Sequence, residues 1–397
     1  MNPEEVLRSH AEREVPPVRL LADDVLVTAR RRVRRGRIRL VAGVAVAVAL
    51  IAGVAFASPL RRPDGGPPAV TPTQPPVLPS RSVAPLRCVA AAVPAPPGLS
   101  AGQWAVHAID PTGRFMVGGY GSAQSVTGLV LWKDGVPSRP AAAAEFSPNA
   151  VNRDGTAVGS TRGAGGERRA ARFRDGTVAQ LPLPAGATSS DVFAVNARGD
   201  AVGYAMLGDS GGVGLIWPAG GGFVEPSAGE GRTAQVAGVT DDGVVVGTAR
   251  ASDGATVAYR WSVDGGSGAP LAKGTAGSAT TGGGDWAAGA APLTRPRDPD
   301  ELGPWHARWN LRTGAVEPLG LFTPYAVSAG GTVLGRATEH SSGLALWHDG
   351  GVTSLPLLDP ARPAVWRAGI TADGRTIVAG MVEGDKHDEF DNTRWTC

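Results

Sequence analysis

The feature that most constrains the fold of this chain is a short motif that recurs at nearly constant spacing. The segment AVNRDGTAVG at residues 150–159 returns as AVNARGDAVG at residues 194–203. Each copy holds an apolar pair, a polar turn ending in Gly, and a second apolar pair ending in Gly. This pattern is typical of two short strands joined by a tight turn. A chain built on such a unit must form a repetitive β-structure.

Seven copies of this hairpin run along the chain. The second glycine of each copy serves as a mark, and successive marks are 41, 44, 44, 42, 46 and 45 residues apart. The marks are Gly118, Gly159, Gly203, Gly247, Gly289, Gly335 and Gly380. The copy at residues 278–289 is degenerate, whereas the other six are clear.

Each period also contains an aromatic strand, and most periods then add a turn such as WKDG or WHDG and a fourth apolar segment. The aromatics are Trp132, Phe173, Trp217, Trp261, Trp309, Trp347 and Trp395. A repeat of this length with four strands predicts the blades of a β-propeller, which bury their faces against each other around an axis. We therefore predict an all-β, seven-bladed β-propeller of four-stranded antiparallel blades, with the aromatics packed between blades.

The two cysteines, Cys88 and Cys397, bracket the repeats and predict how the ring closes. The seventh copy ends after its aromatic strand NTRWTC, and an apolar segment, CVAAAVPAP, precedes the first copy without a hairpin of its own. Aligning these two pieces with the second copy puts Cys397 at Asp175 and Cys88 at Gly176. We predict that the N-terminal strand completes the last blade and that a disulfide replaces its turn. Two reduced thiols are the alternative.

An uncharged run, LVAGVAVAVALIAGVAFA, begins at residue 40 and is just long enough to span a bilayer as a helix of about 27 Å. The arginine-rich segment RRRVRRGRIR precedes this run, so the N-terminus is expected in the cytoplasm and the propeller outside the cell membrane. We assign residues 40–58 as a single-pass signal anchor. Secretion after cleavage following Ala57 is the alternative, because Ala-Phe-Ala fits a small-residue cleavage site.

The regions beside this span differ in composition. Residues 1–39 hold ten Arg and six acidic residues and are expected to form a basic cytoplasmic head that contacts anionic lipid. Residues 59–87 hold nine prolines and predict an extended stalk. Residues 88–397 hold 24 basic and 29 acidic residues, a net charge of −5, which argues against nucleic-acid binding.

The hairpin glycines followed by an aromatic strand, as in VVVGTARASDGATVAYRW at residues 244–261, resemble the HAF-type extracellular repeats of bacteria. The likeness covers about residues 104–397. The matching positions are Asn152, Asn196, Ala258, Tyr259 and Trp261. This resemblance implies an extracellular propeller and supplies no catalytic residue. The Arg-rich, Lys-poor composition resembles that of actinobacterial proteins.

The sequence contains no catalytic, cofactor or metal motif that we consider specific. GDSGG at residues 208–212 matches the nucleophile region of trypsin-like proteases, but it lies between two predicted propeller strands and lacks the other triad segments, so we treat it as coincidental. No zinc, phosphate-loop or nucleophile-elbow pattern occurs. The innermost strands, such as FAVN and AGVT, supply few carboxylates or histidines. We therefore predict that the protein is not an enzyme.

One end of the predicted ring carries the variable connections, namely those from second to third strand and from fourth strand to the next blade. We call this end the variable-loop face. It includes residues 165–170, 294–306, 337–342 and 383–392. Loops on a rigid scaffold commonly carry recognition. Equivalent loops of blades 5 to 7 hold a candidate cation or anionic-ligand site, with exposed polar residues as the alternative. Its residues are His306, His340, His387, Asp300, Glu339 and Asp388.

These observations favour a binding or scaffold module that recognises a cell-wall glycan or an envelope protein through the variable-loop face. A propeller-type hydrolase or lyase acting on polysaccharide is one alternative. The other is an envelope sensor that signals through residues 1–39.

Overall fold

The computed structural model describes residues 86–122, 125–208, 211–272, 277–291, 305–337, 343–360, 364–383 and 386–397. These residues form seven antiparallel sheets, one for each period of the sequence. The sheets are the blades of a β-propeller, so the predicted fold class and blade number are confirmed.

Each blade is built from strands that follow one another along the chain, with one exception at the closure. The first strand, β1 (Val89–Ala92), precedes the repeats. Blade 1 contains β2 (Trp104–Ile109), β3 (Phe115–Ser122), β4 (Ser125–Lys133) and β5 (Val136–Ser138). After a short 3-10 turn, blade 2 contains β6 (Phe146–Val151), β7 (Ala157–Arg162), β8 (Arg168–Arg174) and β9 (Thr177–Gln180). Blade 3 contains β10 (Ala187–Val195), β11 (Ala201–Leu207) and β12 (Gly212–Trp217).

The remaining blades follow the same order. Blade 4 contains β13 (Arg232–Val239), β14 (Val244–Ala251), β15 (Thr256–Ser262) and β16 (Ala269–Pro270). Blade 5 contains β17 (Ser278–Gly283), β18 (Trp286–Ala290), β19 (His306–Asn310) and β20 (Val316–Gly320). Blade 6 contains β21 (Phe322–Val327), β22 (Val333–Ala337), β23 (Ala345–His348) and β24 (Gly351–Ser354). Blade 7 contains β25 (Ala364–Ile370), β26 (Thr376–Glu383) and β27 (Lys386–Thr396), with β1 as its outermost strand.

Blade 3 departs from the predicted four strands. Its sheet has three, and the place of the fourth is taken by a single antiparallel bridge between Ile216 and Val224. The segment at this position is PAGGGFVE. A proline has no N–H to donate, and consecutive glycines lose more chain entropy on ordering than other residues, so the segment forms only one ladder step.

The ring closes as the cysteines predict. Strand β1 pairs antiparallel with β27, with Val89 opposite Thr396 and Ala92 opposite Thr393. Cys88 and Cys397 form a disulfide whose Cα atoms are 4.0 Å apart. In blade 2 the same position is an Asp175-Gly176 turn with φ of 49° and 79°, the backbone that a two-residue hairpin requires. A covalent bond thus stands where the other blades have a backbone turn.

The third-strand aromatics pack between blades, as predicted. Trp132, Trp217, Trp309 and Trp395 are among the largest fully buried side chains. Three of these indoles also donate to a carbonyl oxygen that follows the outermost strand of the preceding blade. These bonds join Trp132 to Pro94 at 2.8 Å, Trp217 to Pro182 at 2.7 Å, and Trp395 to Pro356 at 2.7 Å. The tryptophans therefore add a polar link to the apolar contact between blades.

The hairpin asparagines link neighbouring blades. Asn152 accepts two backbone N–H bonds within its own turn through Oδ1, and its Nδ2 donates to the carbonyl of Asn196 in blade 3 at 2.9 Å. Asn196 repeats the arrangement and donates to the carbonyl of Thr240 in blade 4 at 3.0 Å. An amide is needed because it accepts within one turn and donates to the next. We call the end of the ring that carries these hairpins the tight-turn face.

The predicted head and span, and the stalk up to residue 85, lie outside the described residues. Within the described part of the chain, no helix is both long and apolar enough to cross a bilayer.

Candidate functional site

The innermost strands of all seven blades, from β2 in blade 1 to β25 in blade 7, line a cavity of about 970 Å³ on the ring axis. It reaches from residues near the variable-loop face, such as Gln235 and Met206, to turn residues of the tight-turn face, such as Pro111 and Ala372. We take this cavity as the candidate site, because the innermost strands of all seven blades line it.

A β-bulge in each innermost strand determines which side chains line this cavity. In every one of these strands the pairing register skips one residue near the hairpin turn, and β10 has a second skip at Thr188 that lies away from the cavity. A bulge leaves one residue out of the ladder and turns its side chain in a new direction. In blades 1 to 6 the skipped residue lines the cavity, and in blade 7 the residue after it does. The ring so formed is His107, Asn149, Phe193, Ala237, Thr280, Tyr325 and Arg367.

The bulges explain the glycine marks of the sequence. In blades 1 to 6 the mark pairs with the residue just before the bulge, and a Cβ there would overlap the carbonyl oxygen two residues before the bulge. At Gly159, for example, that oxygen belongs to Ser147. No side chain fits so close to a backbone oxygen, so the column must be glycine.

Blade 7 is arranged differently. Its bulge residue is Trp366, so Gly380 pairs with Arg367, on the other side of the bulge. The nearest atom to a Cβ at Gly380 is the carbonyl oxygen of Val106 in blade 1, at 3.0 Å. Trp366 packs edge-on against Phe390, with ring centroids 6.1 Å apart, and Arg367 takes its place at the cavity wall.

Polar groups concentrate in blades 7, 1, 2 and 3. Nη2 of Arg367 donates to Oδ1 of Asn149 at 3.3 Å, across the intervening blade 1. Nδ2 of Asn149 donates to Oδ1 of Asp191 and to the carbonyl oxygen of Val192, both at 2.8 Å. Oδ2 of Asp191 forms a salt bridge with Arg168 at 3.0 Å. This polar sector therefore holds two guanidinium groups and one carboxylate.

Burial shifts the pKa values of Asp191 and Arg367 in opposite directions. Burial raises the pKa of Asp191, and Arg168 opposes that rise. Burial also lowers the pKa of Arg367, while the negative charge of Asp191 raises it and the positive charge of Arg168 lowers it further. An arginine stays protonated under these conditions. The sector thus carries an excess positive charge in surroundings where charge interactions are stronger than in water.

His107 contributes no charge to this sector at neutral pH. Its Nδ1 lies 2.6 Å from the carbonyl oxygen of Pro148, which makes Nδ1 the protonated nitrogen. Burial is the main cause that lowers the pKa of His107 to about 4; the Pro148 bond opposes the shift and Arg367 adds to it. Nε2 is buried and has no hydrogen-bond partner within the described part of the chain. The residue joins blades 1 and 2 as a neutral imidazole.

An aromatic surface lies beside the polar sector. Phe193 is 40% exposed, unusual for so large an apolar side chain, and it stacks on Tyr204 with centroids 5.4 Å apart and 22° between the ring planes. Phe193 follows Val192, the residue whose carbonyl Asn149 holds. The aromatic pair and the polar sector are therefore continuous along the cavity wall.

The structure describes only some residues of the predicted ligand site on the variable-loop face. His306 was expected in a loop, but it pairs with Ala290 and begins strand β19, where it is buried. His387 and Asp388 belong to β27, and their side chains fall outside the described structure. Asp300, Glu339 and His340 also lie outside it.

The described residues offer no metal site. No group of three or more His, Cys, Asp or Glu side chains within them is arranged to hold a metal ion. GDSGG occupies the connection between β11 and β12, as expected, and its Asp209 and Ser210 lie outside the described residues.

The cavity ring is not among the sites predicted from the sequence. We expected few carboxylates or histidines on the innermost strands; among the described residues these strands place one histidine, His107, at the cavity wall, together with Asn149 and Arg367, which that expectation did not cover. A signal was available in the aligned repeats. The column three residues before the first residue of the hairpin turn reads His, Asn, Phe, Ala and Tyr in the clear copies of blades 1 to 4 and 6, between columns that stay small or apolar.

Comparisons with known proteins give structural similarity only. No protein-family model matches the sequence, and no curated protein does. A gluconolactonase from Xanthomonas campestris is 12% identical, covers 75% of this chain and 86% of its own, and has a TM-score of 0.41. An oligogalacturonate lyase in complex with manganese is 10% identical, covers 79% and 96%, and has a TM-score of 0.49. A chain of the mitotic checkpoint complex is 11% identical, covers 86% and 98%, and has a TM-score of 0.45. No family or activity follows from them.

Proposed function

We propose that this protein is a membrane-anchored, extracytoplasmic binding or scaffold module for a cell-envelope glycan or protein. The ligand is recognised through the variable-loop face and enters the axial cavity. The observation that supports the proposal is the ring of seven side chains at the cavity wall, six of them bulge residues and the seventh, Arg367, next to one. A nearly constant backbone presents seven side chains of different chemistry to one cavity, which is the arrangement expected of a recognition surface on a rigid scaffold.

The cavity chemistry supports binding over bond cleavage. Enzymes that cleave glycosidic bonds commonly use paired carboxylates. Among the described residues that line the cavity, the carboxylate is Asp241, and its Oδ1 accepts the backbone N–H of Ala197 at 2.7 Å. The carboxylate of Asp191 is held by Asn149 and Arg168. These groups are occupied in structural bonds.

The disulfide supports the extracytoplasmic part of the proposal. Disulfides persist in oxidising compartments and are rare in the cytosol. The bond between Cys88 and Cys397 closes the ring. Residues 40–58 would anchor the chain and residues 59–87 would hold the propeller away from the bilayer.

The test uses the full-length protein in detergent on an array of envelope glycans and in cross-linking with envelope proteins, with chromatography for released products. Binding without product release is expected. Ala237→Trp projects a bulky side chain into the cavity and should abolish that binding, whereas Ala269→Trp places the same side chain on the exposed outer strand β16 and should leave it unchanged. Product release would favour the hydrolase or lyase. Binding that survives Ala237→Trp would refute the cavity as the site.

A further inference from the structure

We propose that the axial cavity binds a carboxylate carried on a ring, with Arg367 holding the carboxylate and Phe193 stacking on the ring face. This inference rests on the proposed binding function and specifies its ligand class. Four observations support it: the position of Arg367, the charge of the polar sector, the exposed aromatic pair, and the continuity between them.

The guanidinium of Arg367 is available for a ligand. Its side chain is accessible to solvent inside the cavity, although protein atoms of the ring surround it, and the hydrogen bond to Asn149 at 3.3 Å is long for a charged donor. Within the described part of the chain, no carboxylate lies at salt-bridge distance from it, since Asp191 pairs with Arg168. A guanidinium has five N–H donors, so most of those on Arg367 remain free for an acceptor.

The charge of the sector favours a single negative charge on that acceptor. Arg168 and Asp191 balance each other, His107 is neutral, and Arg367 supplies one charge in excess. A planar guanidinium binds a carboxylate through two parallel hydrogen bonds. A carboxylate matches this site in both charge and shape.

The neighbouring aromatic surface favours a ring beside the carboxylate. Phe193 lines the cavity, and its ring stacks on that of Tyr204, another lining residue. Asn149 lies between the two elements, because it accepts from Arg367 and donates to the carbonyl of Val192, next to Phe193. In the proposed complex, one ligand with a carboxylate on a six-membered ring contacts both. Sugar acids and aromatic acids share this chemistry.

The test is calorimetric titration of the full-length protein with glucuronate and with benzoate, each against its neutral counterpart, glucose or benzyl alcohol. We expect the carboxylates to bind and the neutral compounds to bind at least tenfold more weakly. Tighter binding of glucuronate identifies a sugar acid as the source of the carboxylate, and tighter binding of benzoate identifies an aromatic acid.

Three variants check the residues. Arg367→Gln should weaken carboxylate binding about tenfold or more, because it removes charged hydrogen bonds. Phe193→Ala should weaken binding of the ring compounds about fivefold. Arg312→Gln, on the exposed β19–β20 turn, is the control and should change nothing. Thermal unfolding of each variant establishes that it is folded. Arg367→Lys keeps the positive charge but loses the planar pair of donors, and it should bind carboxylates more tightly than Arg367→Gln does.

Equal affinity for glucuronate and glucose, or unchanged carboxylate affinity in folded Arg367→Gln, would overturn the inference. The proposed function fails by a different result. If the envelope array shows a bound neutral glycan that is insensitive to Arg367→Gln, the binding function stands and the carboxylate inference falls. If nothing in the envelope binds, the function itself falls.

Discussion

Replacing a mark glycine with alanine tests the bulge that shapes the cavity. In Gly159→Ala, the new Cβ overlaps the carbonyl oxygen of Ser147, so β6 must separate from β7 or lose its bulge. An alanine in a strand would ordinarily gain about 0.5–1 kcal/mol over glycine from chain entropy. Overpacking costs about 1–3 kcal/mol, and each ladder hydrogen bond lost costs about 1 kcal/mol more. We therefore expect a net loss of about 3 kcal/mol.

Two further glycines calibrate this measurement. Gly220→Ala introduces a Cβ with no atom within 4 Å and should change the unfolding free energy by less than about 0.5 kcal/mol. Gly380→Ala meets the oxygen of Val106 at 3.0 Å and should fall between the two. Urea unfolding followed by tryptophan fluorescence gives the three values. If Gly159→Ala is as stable as Gly220→Ala, the carbonyl overlap is not the reason for the glycine column.

Three other perturbations have defined outcomes. The low pKa of His107 favours its neutral form in the fold, so the stability it contributes is lost as the pH falls from 6.5 to about 4, amounting to about 3 kcal/mol. His107→Asn keeps a donor near Pro148, and its unfolding free energy, measured across that range, should lack this pH dependence; an unchanged profile contradicts the assignment. Trp217→Phe leaves the carbonyl of Pro182 without its donor and should lower the unfolding free energy by about 2 kcal/mol in urea titrations, whereas a neutral effect would deny the indole bond any importance. Reducing the Cys88–Cys397 bond should lower it by up to about 6 kcal/mol on the chain-entropy model, and equal urea midpoints with and without reductant would refute that contribution.

The propeller fold could be predicted from the sequence because each repeat contains the local signals for its own turns and for the alternating pattern of its strands. Gly in a hairpin and Asp-Gly in a two-residue turn specify backbone shape without reference to distant residues. The closure was predictable for the same reason, since Cys88 and Cys397 occupy the two positions of a turn seen in other blades.

The cavity was harder to predict because it depends on strand register. A bulge shifts the pairing by one residue, and the glycine column opposite it does not show which side chain then reaches the cavity. The contact between Arg367 and Asn149 joins residues 218 positions apart. It exists because blade 7 places its bulge at Trp366, one residue earlier than the side chain that reaches the cavity. Only the three-dimensional pairing reveals that displacement.

The closure also fixes where the rest of the chain leaves the ring. Cys88 stands at a turn between third and fourth strands, so residues 86–87 meet the ring at the outer edge of blade 7 on the tight-turn face. The variable loops lie at the opposite end of every blade. A tether, a sensor chip or a fusion partner attached through residue 87 therefore joins the ring at the end opposite those loops.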